Sequence, residues 1–371
     1  MSYVEPEAAT AVDFLVQRDD LRRTKLAPSQ AAPERQLEPG QVLLKVERFG
    51  FSANNITYAT LGEVMSYWDF FPGPPGWGRV PVWGFATCVR SAHDEIAEGE
   101  RVFGYLPIST YLVVEAGRVN SSSFEDVSPH RANLPGVYQR YSRVESDVNY
   151  DPQREDEQAL WSPLFMTSFG AADFLVDNDL FGGRSVVFSS ASSKTALGIA
   201  FLLARKEAKR GDIVALTSAG NAGFCERLGY YDKVVTYTDV RSLPATPTVF
   251  VDLAGNAELL SELGSHLGDD LVHTVVVGAT HWDQRDAGGS LGGGDSTFFF
   301  LPSWIEKRRK EWGSGEFAKR YGEARNAFFP SADSWMKIVH SEGPEAVEAV
   351  YLETLEGKVS PEVGHILSLG S

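Results

Sequence analysis

Hydrophobic and polar positions between residues 185 and 278 follow each other in the order of an α/β protein. The apolar run at residues 185–188 (SVVF) predicts a short buried strand, and the periodic apolar positions from Ala196 to Leu203 predict a helix. A polar turn at residues 189–195 separates the two. Further strands are predicted at Asp212–Ser218, Lys233–Asp239, Thr248–Leu253 and Leu271–Gly278, with a short helix at Asn221–Leu228. This order predicts a parallel, doubly wound sheet, which binds ligands beyond the carboxyl ends of its strands.

Shorter strands separated by turns dominate the N-terminal part of the chain and predict a barrel-like β domain. They are placed at Asp13–Gln17, Gln41–Phe49, Gly84–Arg90, Arg101–Leu106 and Tyr111–Glu115. Residues 66–83 (SYWDFFPGPPGWGRVPVW) are predicted to form a long aromatic loop, because their prolines and glycines oppose regular structure. Such a loop serves either function or packing on the core, and the pattern leaves both open.

The remaining segments complete this picture. Residues 116–156 are predicted to be irregular and residues 280–296 to form a glycine-rich loop. Helices are predicted at residues 157–177, 302–328 and 344–355, and strands at Thr297–Leu301 and His365–Leu369.

Composition excludes several classes of protein. Of the 371 residues, 43% are hydrophobic and 12% aromatic, which is typical of packed globular domains. The formal net charge of −16 disfavours a nucleic-acid partner. No run of about 18 apolar residues predicts a membrane span, and the acidic N-terminus lacks a signal core. With only two cysteines, Cys88 and Cys225, far apart in the chain, a cytoplasmic location is the simplest prediction.

The polar turn at residues 189–195 is the first candidate site. Unpaired N–H groups at a helix N-terminus attract phosphate, and the serine and threonine hydroxyls and Lys194 add further donors. Serine-rich turns also serve as plain helix caps, and the glycines of G-x-G-x-x-G are absent, so the turn alone leaves both interpretations open.

Several stretches together resemble the medium-chain dehydrogenase/reductase superfamily, in its zinc-independent, quinone-oxidoreductase-like branch. GQVLLKVERFGFSANNITYA is similar to the family's G-E-V-L-V-x-V-x-x-x-G-L-N-x-x-D stretch, VPVWGFATCV stands where the family has P-G-H-E-x-x-G-x-V, and EGERVFGY is similar to its G-D-R-V-x-G turn. SSASSKTALGIAFLLA stands at the family's phosphate turn, and ERLGYYDKVVTYTD is similar to L-G-A-D-x-V-I-x-Y. The resemblance implies a Rossmann nucleotide-binding domain at residues 157–314 and a GroES-like β-barrel catalytic domain at residues 1–156 and 315–371.

Departures from the family pattern argue against a metal. Ser52 and Trp83 stand where zinc-dependent members have cysteine and histidine, and neither is a zinc ligand. No metal site is therefore expected. Ser189, Ser192, Ser193 and Thr195 replace the glycines of the phosphate turn, where hydroxyls would act as donors.

The resemblance also implies the cofactor. The second strand ends in Thr217 and Ser218 rather than in the carboxylate that pairs with the ribose of NAD, so NADP(H) is favoured. A hydrophilic turn without a nucleotide role is the alternative. The predicted cofactor-binding residues are Ser190, Ala191, Ser192, Ser193, Lys194, Thr195, Thr217, Ser218, Asn221, Tyr237 and Gly278.

Without zinc, hydrogen bonds must polarise the substrate. Tyr58 is the first candidate for the catalytic donor, Tyr67 the second, and Asn55 occupies the family's polar position beside the cofactor. Trp68, Phe70, Phe71, Trp77 and Trp83 are predicted to line an apolar pocket. His93, His130 and His281 are further acids without a recognisable constellation.

The predicted function is zinc-independent, NADPH-dependent reduction of an activated C=C bond (an enone or quinone) or a ketone in a small apolar substrate. Two alternatives stay open: a redox-neutral reaction on a carbonyl compound, such as C–C cleavage or elimination, and nucleotide binding without catalysis. Pairing of two chains through the strand TFFFL would give a homodimer, and a buried interior strand is the alternative for that segment.

Overall fold

In the computed structural model, the described residues are 11–148, 150–205, 211–277 and 295–370. Gly278, His281 and nearly all of the predicted glycine-rich loop lie outside them. The strands of the described residues are β1 (Val12–Gln17), β2 (Thr24–Pro28), β3 (Gln41–Phe51), β4 (Trp77–Gly78), β5 (Pro81–Ser91), β6 (Arg101–Pro107), β7 (Tyr111–Gly117), β8 (Ser123–Asp126), β9 (Arg140–Arg143), β10 (Ser185–Phe188), β11 (Asp212–Thr217), β12 (Lys233–Thr236), β13 (Thr248–Asp252), β14 (Leu271–Val277), β15 (Asp295–Phe299), β16 (Lys337–Glu342) and β17 (Val363–Ser368). The α-helices are α1 (Ala53–Thr60), α2 (Glu155–Asp177), α3 (Lys194–Ala204), α4 (Ala219–Leu228), α5 (Ala257–Leu267), α6 (Leu301–Trp312), α7 (Ser314–Asp333) and α8 (Pro344–Leu355).

The chain divides into two compact units, unit 1 (residues 1–162 and 337–371) and unit 2 (residues 163–336). The sequence placed the second boundary at residue 314, whereas the structure places α7 in unit 2. Packing explains this placement, because Phe328 of α7 stacks on Phe165 at 4.8 Å and meets Phe201 edge-on at 5.1 Å.

Unit 1 is built on an eight-stranded sheet in the order β16-β17-β3-β5-β6-β9-β8-β7. Pairing of β3 with β7 closes the inner strands into a small barrel, as expected for a GroES-like domain. A second sheet, β2-β1-β4, adds to the unit. Alternating inward residues of the strands, such as Val42, Leu44 and Val46 on β3, fill the core.

Unit 2 contains a six-stranded, fully parallel sheet in the order β12-β11-β10-β13-β14-β15. The order reverses at β10, so β11 and β13 lie on its two sides and the polar turn follows the central strand. This topology confirms the Rossmann-type doubly wound sheet, and it brings the ends of β10, β11 and β13 to one edge.

Some local predictions were wrong. Residues 66–83 contain a 3-10 turn at Tyr67–Asp69, strand β4 and the start of β5, because buried rings and pairing of Trp77 with Gln17 order this segment. The strands β8 and β9 lie within residues predicted to be irregular, and β2 and β16 were missed. The strand predicted at Lys233–Asp239 ends at Thr236 and continues as a 3-10 helix.

Helix α2 is the one helix of the described residues long and apolar enough to cross a membrane by length and composition. Slightly more than half (56%) of its apolar window is buried, which is typical of a core helix as well. Phe165 and Phe174 show this packing, since they contact Phe328 and Phe299 within unit 2.

Candidate functional site

The turn after β10 presents hydrogen-bond donors at the N-terminus of α3. Ser193 is the N-cap, and its hydroxyl accepts the N–H of Ala196 at 3.3 Å. The first turn of α3 contains no acidic residue, so nothing there offsets the partial positive charge of the helix end. Ser190 has a φ of +46°, a left-handed conformation that glycine adopts at lower cost.

Lys194 begins α3 in this turn. Burial lowers the pKa of its ammonium group to about 8, since a charged group loses water there. An anion bound beside Lys194 would favour the charged form and raise this pKa again. The residue therefore suits a phosphate near neutral pH.

A second helix N-terminus lies beside the first. Ser218 is the exposed N-cap of α4 and makes no capping bond with its side chain, and the first turn of α4 has no acidic residue. The Asn221 amide donates to the Ser192 hydroxyl over 3.0 Å, which joins the two turns. The structure thus brings Ser192, Ser218 and Asn221 together at the carboxyl ends of β10 and β11, where the donors suit two separate phosphate groups.

Two tyrosines hold the backbone of the turn. The Tyr237 hydroxyl accepts the Ser190 N–H at 2.9 Å, and the Tyr231 hydroxyl donates to the Ala191 carbonyl at 2.6 Å. Sequence reasoning named Tyr237 as a cofactor-binding residue and missed Tyr231. Its signal was the pair of tyrosines directly before β12.

The carboxylate of Asp252 was also missed, although Asp252 is the last residue of the buried strand β13. It accepts the Ser189 hydroxyl at 2.9 Å and the N–H groups of Ala254 and Gly255 at 3.0 and 2.9 Å. These bonds fix the loop after β13 against the turn after β10. Of the other predicted residues, Thr217 is buried, and the carbonyl of Thr195 accepts the Ser168 hydroxyl at 2.8 Å.

Helix α1 carries two of the three predicted catalytic residues, Asn55 and Tyr58, and Tyr67 lies on the 3-10 helix that follows. Ser52, which stands at a zinc-ligand position of the resembled family, is its N-cap. Asn55 is buried; its Oδ1 accepts the Ser52 N–H at 2.9 Å and its Nδ2 donates to the Pro81 carbonyl at 3.0 Å. The Asn55 side chain thus fixes α1 to the start of β5, with Tyr58 one turn further along the helix.

Tyr58 lies in a cluster of four tyrosines and one tryptophan, which we call the tyrosine cluster: Tyr58, Tyr67, Trp83, Tyr105 and Tyr138. The ring centroids of Tyr58 and Tyr67 are 4.7 Å apart, and so are those of Tyr105 and Tyr138. The Trp83 indole donates to the Tyr58 hydroxyl at 3.4 Å, and the Tyr67 and Tyr138 hydroxyls are 3.5 Å apart. The structure therefore brings the two predicted donors, Tyr58 and Tyr67, together and adds two tyrosines that were missed.

Burial raises the pKa values of Tyr58 and Tyr67, so both phenols keep their protons at neutral pH. A protonated phenol in a site with little water donates a hydrogen bond to a carbonyl oxygen. The cluster can therefore polarise a carbonyl group without a metal ion.

The other predicted pocket residues have different positions. Trp68, Phe70 and Phe71 are each 1% exposed and belong to the core, and Gly62 leaves the space for Trp68. Trp77 lies under Lys25, whose ammonium is 3.9 Å from the ring centroid. Neither His93, which accepts the N–H of Glu95, nor His130, 3.4 Å from the Phe70 carbonyl oxygen, belongs to the tyrosine cluster. Within the described ranges, no group of three or more His, Cys, Asp or Glu side chains could hold a metal ion.

Solved structures with the same fold span both units in sequence. A mutant enoyl thioester reductase from Candida tropicalis is 10% identical with a TM-score of 0.55, over 97% of this chain and 99% of that chain. CurA from Vibrio vulnificus, solved in complex with NADPH, is 11% identical with a TM-score of 0.55, over 97% and 100%. The CurF ER cyclopropanase of the curacin A biosynthetic pathway is 13% identical with a TM-score of 0.57, over 97% and 99%. At these identities the likeness establishes the fold.

No curated protein matches the chain by sequence. A family model does match, over residues 49–360, and its description is "Protein of unknown function (DUF2855)". Since the match covers most of the 371 residues, the protein belongs to the DUF2855 family.

Proposed function

We propose that the protein is a zinc-independent, NADPH-dependent oxidoreductase that reduces an activated C=C bond or a ketone in a small, uncharged substrate. NADPH supplies a hydride when it is bound. The chain's own residues bind the phosphates, hold the substrate oxygen and keep water out.

One observation carries the cofactor assignment, the 3.0 Å bond from Asn221 to Ser192. It joins two helix N-termini that both lack acidic residues in the first turn, one with Lys194 and the other with Ser218. The first end suits a pyrophosphate and the second a 2′-phosphate, which a carboxylate at the end of β11 would repel. The pair of sites therefore favours NADP(H) over NAD(H).

The solved neighbours support the reaction class. The printed names include an enoyl thioester reductase, and CurA was solved with NADPH. Both share the complete two-unit fold of this chain, which makes reduction with NADPH the first reaction to test.

Tyr58 is proposed to donate a hydrogen bond to the substrate's carbonyl oxygen. The Trp83 indole donates to the Tyr58 oxygen, so the phenol proton of Tyr58 points to another partner. Tyr67 is the second candidate, and Asn55 positions α1 through its bonds to Ser52 and Pro81. A cytoplasmic location and pairing of two chains through edge strand β15, where Phe298 and Phe300 are exposed, are further parts of the proposal.

The decisive experiment combines binding and turnover. Calorimetry with NADPH and NADH should show tighter binding of NADPH, and a panel of enones, quinones and ketones should then reveal NADPH oxidation with matching product. Failure to bind either nucleotide would remove the cofactor assignment. Binding without turnover on the whole panel would favour the non-catalytic alternative.

A redox-neutral reaction is the second candidate, favoured by the fold's occurrence in a protein named a cyclopropanase. The stoichiometry of NADPH separates the candidates. One NADPH consumed per product supports reduction, and product formed with no loss of NADPH supports the redox-neutral reaction.

A further inference from the structure

Tyr105 lies at the centre of the tyrosine cluster, on strand β6. Five aromatic rings surround its own: Tyr58 at 5.5 Å, Phe70 at 5.4 Å, Phe71 at 5.7 Å, Trp83 at 5.2 Å and Tyr138 at 4.7 Å between centroids. The side chain is fully buried. A ring held on so many sides has one orientation, so the position of its hydroxyl is fixed before any ligand arrives.

The hydroxyl of Tyr105 has no hydrogen-bond partner among the described residues. Buried polar groups almost always have one, because an unpaired hydroxyl away from water costs free energy. Tyr141 and Tyr351, two other buried tyrosines of unit 1, follow the rule, since their hydroxyls donate to the carbonyls of Tyr105 and Leu21 at 2.9 and 3.0 Å. The unpaired phenol is therefore a property of this site and not of buried tyrosines in general.

The hydroxyls of the cluster lie near each other. Burial raises the pKa of Tyr105 well above its usual value, and the neighbouring hydroxyls of Tyr58, Tyr138 and Tyr67 raise it further. The N–H···O contact from Trp83 to Tyr58, at 3.4 Å, and the contact between the hydroxyls of Tyr67 and Tyr138, at 3.5 Å, are both longer than ordinary hydrogen bonds of their kind. The cluster thus holds several donors that are poorly supplied with acceptors.

Among the described residues, no lysine or arginine donates a hydrogen bond to the cluster, although the charge of Arg131 partly opposes the rise in the pKa of Tyr105. The guanidinium that packs on Phe70 and Phe71, that of Arg131, is paired with Asp126 at 3.0 Å, with both side chains buried. Neutral donors around an acceptor-poor space suit an uncharged carbonyl oxygen that gains negative charge during reaction.

We propose that Tyr105 is a second catalytic hydrogen-bond donor, which forms with Tyr58 a two-phenol oxyanion hole for the carbonyl oxygen of a neutral, flat substrate. This inference rests on the proposed function for the identity of the reaction. Addition of a hydride to the carbonyl carbon, or to the β-carbon of a conjugated C=C bond, would shift the C=O π electron pair onto this oxygen, and both phenols would bind the oxyanion without giving up their protons. Water then supplies the proton that completes the alcohol or the saturated carbonyl product. Tyr67 and Tyr138 are the half-buried tyrosines of the cluster, and each sits on a one-turn 3-10 helix.

The test uses a pair of probes that needs no knowledge of the substrate: 4-nitrophenolate, which carries an oxyanion, and 4-nitrotoluene, which has the same shape without it. Dissociation constants of both are measured on the full chain, without NADPH, at a pH at which the phenol probe is ionised. The wild type should prefer the phenolate. Tyr105→Phe and Tyr58→Phe should each reduce that preference about 10- to 100-fold, the usual loss for a hydrogen bond to a charged group.

Thermal stability provides the second readout. Tyr105→Phe should unfold at the same temperature as the wild type or higher, because it removes an unpaired buried hydroxyl. The matched control is Tyr351→Phe, which loses a satisfied hydroxyl and should unfold at a lower temperature with the probe preference intact.

If Tyr105→Phe keeps the wild-type preference for the phenolate, the oxyanion hole is refuted. It is also refuted if Tyr105→Phe binds both probes more weakly by the same factor and is less stable, because a purely structural hydroxyl gives that result. NADPH calorimetry on the same variants keeps the two proposals apart. If Tyr105→Phe binds NADPH normally and keeps the wild-type probe preference, only the role of Tyr105 is refuted. If the wild type does not bind NADPH, the proposed function is refuted.

Discussion

The turn after β10 and the tyrosine cluster both offer hydrogen-bond donors, yet their polar groups are satisfied in different ways. In the turn, Ser190, Ala191 and Ser192 are bonded to Tyr237, Tyr231 and Asn221. In the tyrosine cluster, the central phenol of Tyr105 is buried without a partner. In the turn, internal hydrogen bonds fix the backbone, and the donors that could bind a ligand lie at helix N-termini near solvent. The cluster instead holds an unsatisfied donor inside the core.

This difference matches the proposed roles of the two regions, cofactor binding for the turn and catalysis for the tyrosine cluster. A phosphate carries its charge before and after it binds, so a partly hydrated helix end with a lysine is sufficient to hold it. An oxyanion exists only during the reaction, and donors placed in advance and shielded from water stabilise it best.

Loss of the phenol at Tyr58 should have the largest effect on activity. Tyr58→Phe should lower kcat by about 10²- to 10³-fold on a substrate found in the enone and ketone panel, the usual cost of removing one oxyanion-hole donor. The affinity for NADPH should not change, because the residues proposed to bind its phosphates remain. Steady-state kinetics and calorimetry check this, with Tyr351→Phe as the control; a kcat within twofold of wild type would exclude Tyr58 as the donor.

The buried ion pair behind the cluster should dominate its stability. Arg131→Ala leaves the carboxylate of Asp126 buried and unpaired, since their side chains are only 1% and 2% exposed, and should cost about 3–5 kcal/mol of the free energy of unfolding. Arg118→Ala is the control, because it breaks a pair in which the arginine is 74% exposed. Urea unfolding measures both, and equal losses would contradict the difference in burial.

Lys194 should make phosphate binding depend on pH. Lys194→Ala should weaken NADPH binding about 10- to 100-fold, the range for a hydrogen bond to a charged group. In the wild type, affinity should fall as the pH rises through about 8, because the ammonium group then loses its proton and its charge. Calorimetry from pH 6.5 to 9.5 checks both statements. Lys233→Ala, at the start of β12 and exposed, is the control and should keep the wild-type profile.

The same residue gives a stability prediction of known sign. The folded-state pKa of Lys194 lies below its ordinary value of 10.5, so the unfolded chain binds more protons between about pH 8 and 10.5. In the absence of nucleotide, the contribution of Lys194 to stability therefore rises with pH across that window. Lys194→Met should remove this part of the pH dependence. If the free energy of unfolding changes with pH as steeply in the variant as in the wild type, the pKa of Lys194 is not lowered in the folded protein.

A negative charge at the end of β11 should change the preference between NADPH and NADH, and this is the smallest effect that we expect. Ser218→Asp should weaken NADPH binding about tenfold without weakening NADH binding, because its carboxylate repels the 2′-phosphate but accepts hydrogen bonds from the ribose hydroxyls of NADH. Aspartate and serine are similarly good N-caps, so α4 should remain intact. Ser218→Asn, neutral and of the same shape, is the control. Equal effects of Asp and Asn would mean that no phosphate binds there.

Much of unit 2 was predictable because its elements are local. Most of its predicted strands are short apolar runs, and the turn proposed to bind phosphate is contiguous in the chain from Ser189 to Thr195. Even there, the sequence missed Tyr231 and Asp252, since their bonds to the turn cross about 40 and 63 positions along the chain. Trp68, Phe70 and Phe71 are buried in the core, whereas their aromatic character alone would have suited a pocket lining equally well.

Local patterns in the chain were enough to predict the parallel α/β order, the barrel-forming strands, the donor-rich turn with Lys194, and Tyr58 and Tyr67 as candidate donors. These follow from periodicity and from residue types that lie near each other in the chain. Only the tertiary structure decided that Tyr105 and Tyr138 join Tyr58 and Tyr67, and that the phenol of Tyr105 has no partner. The physical reason is that barrel closure brings together residues 58, 105 and 138 from separate elements, and whether a hydroxyl is satisfied depends on those distant neighbours rather than on the local sequence.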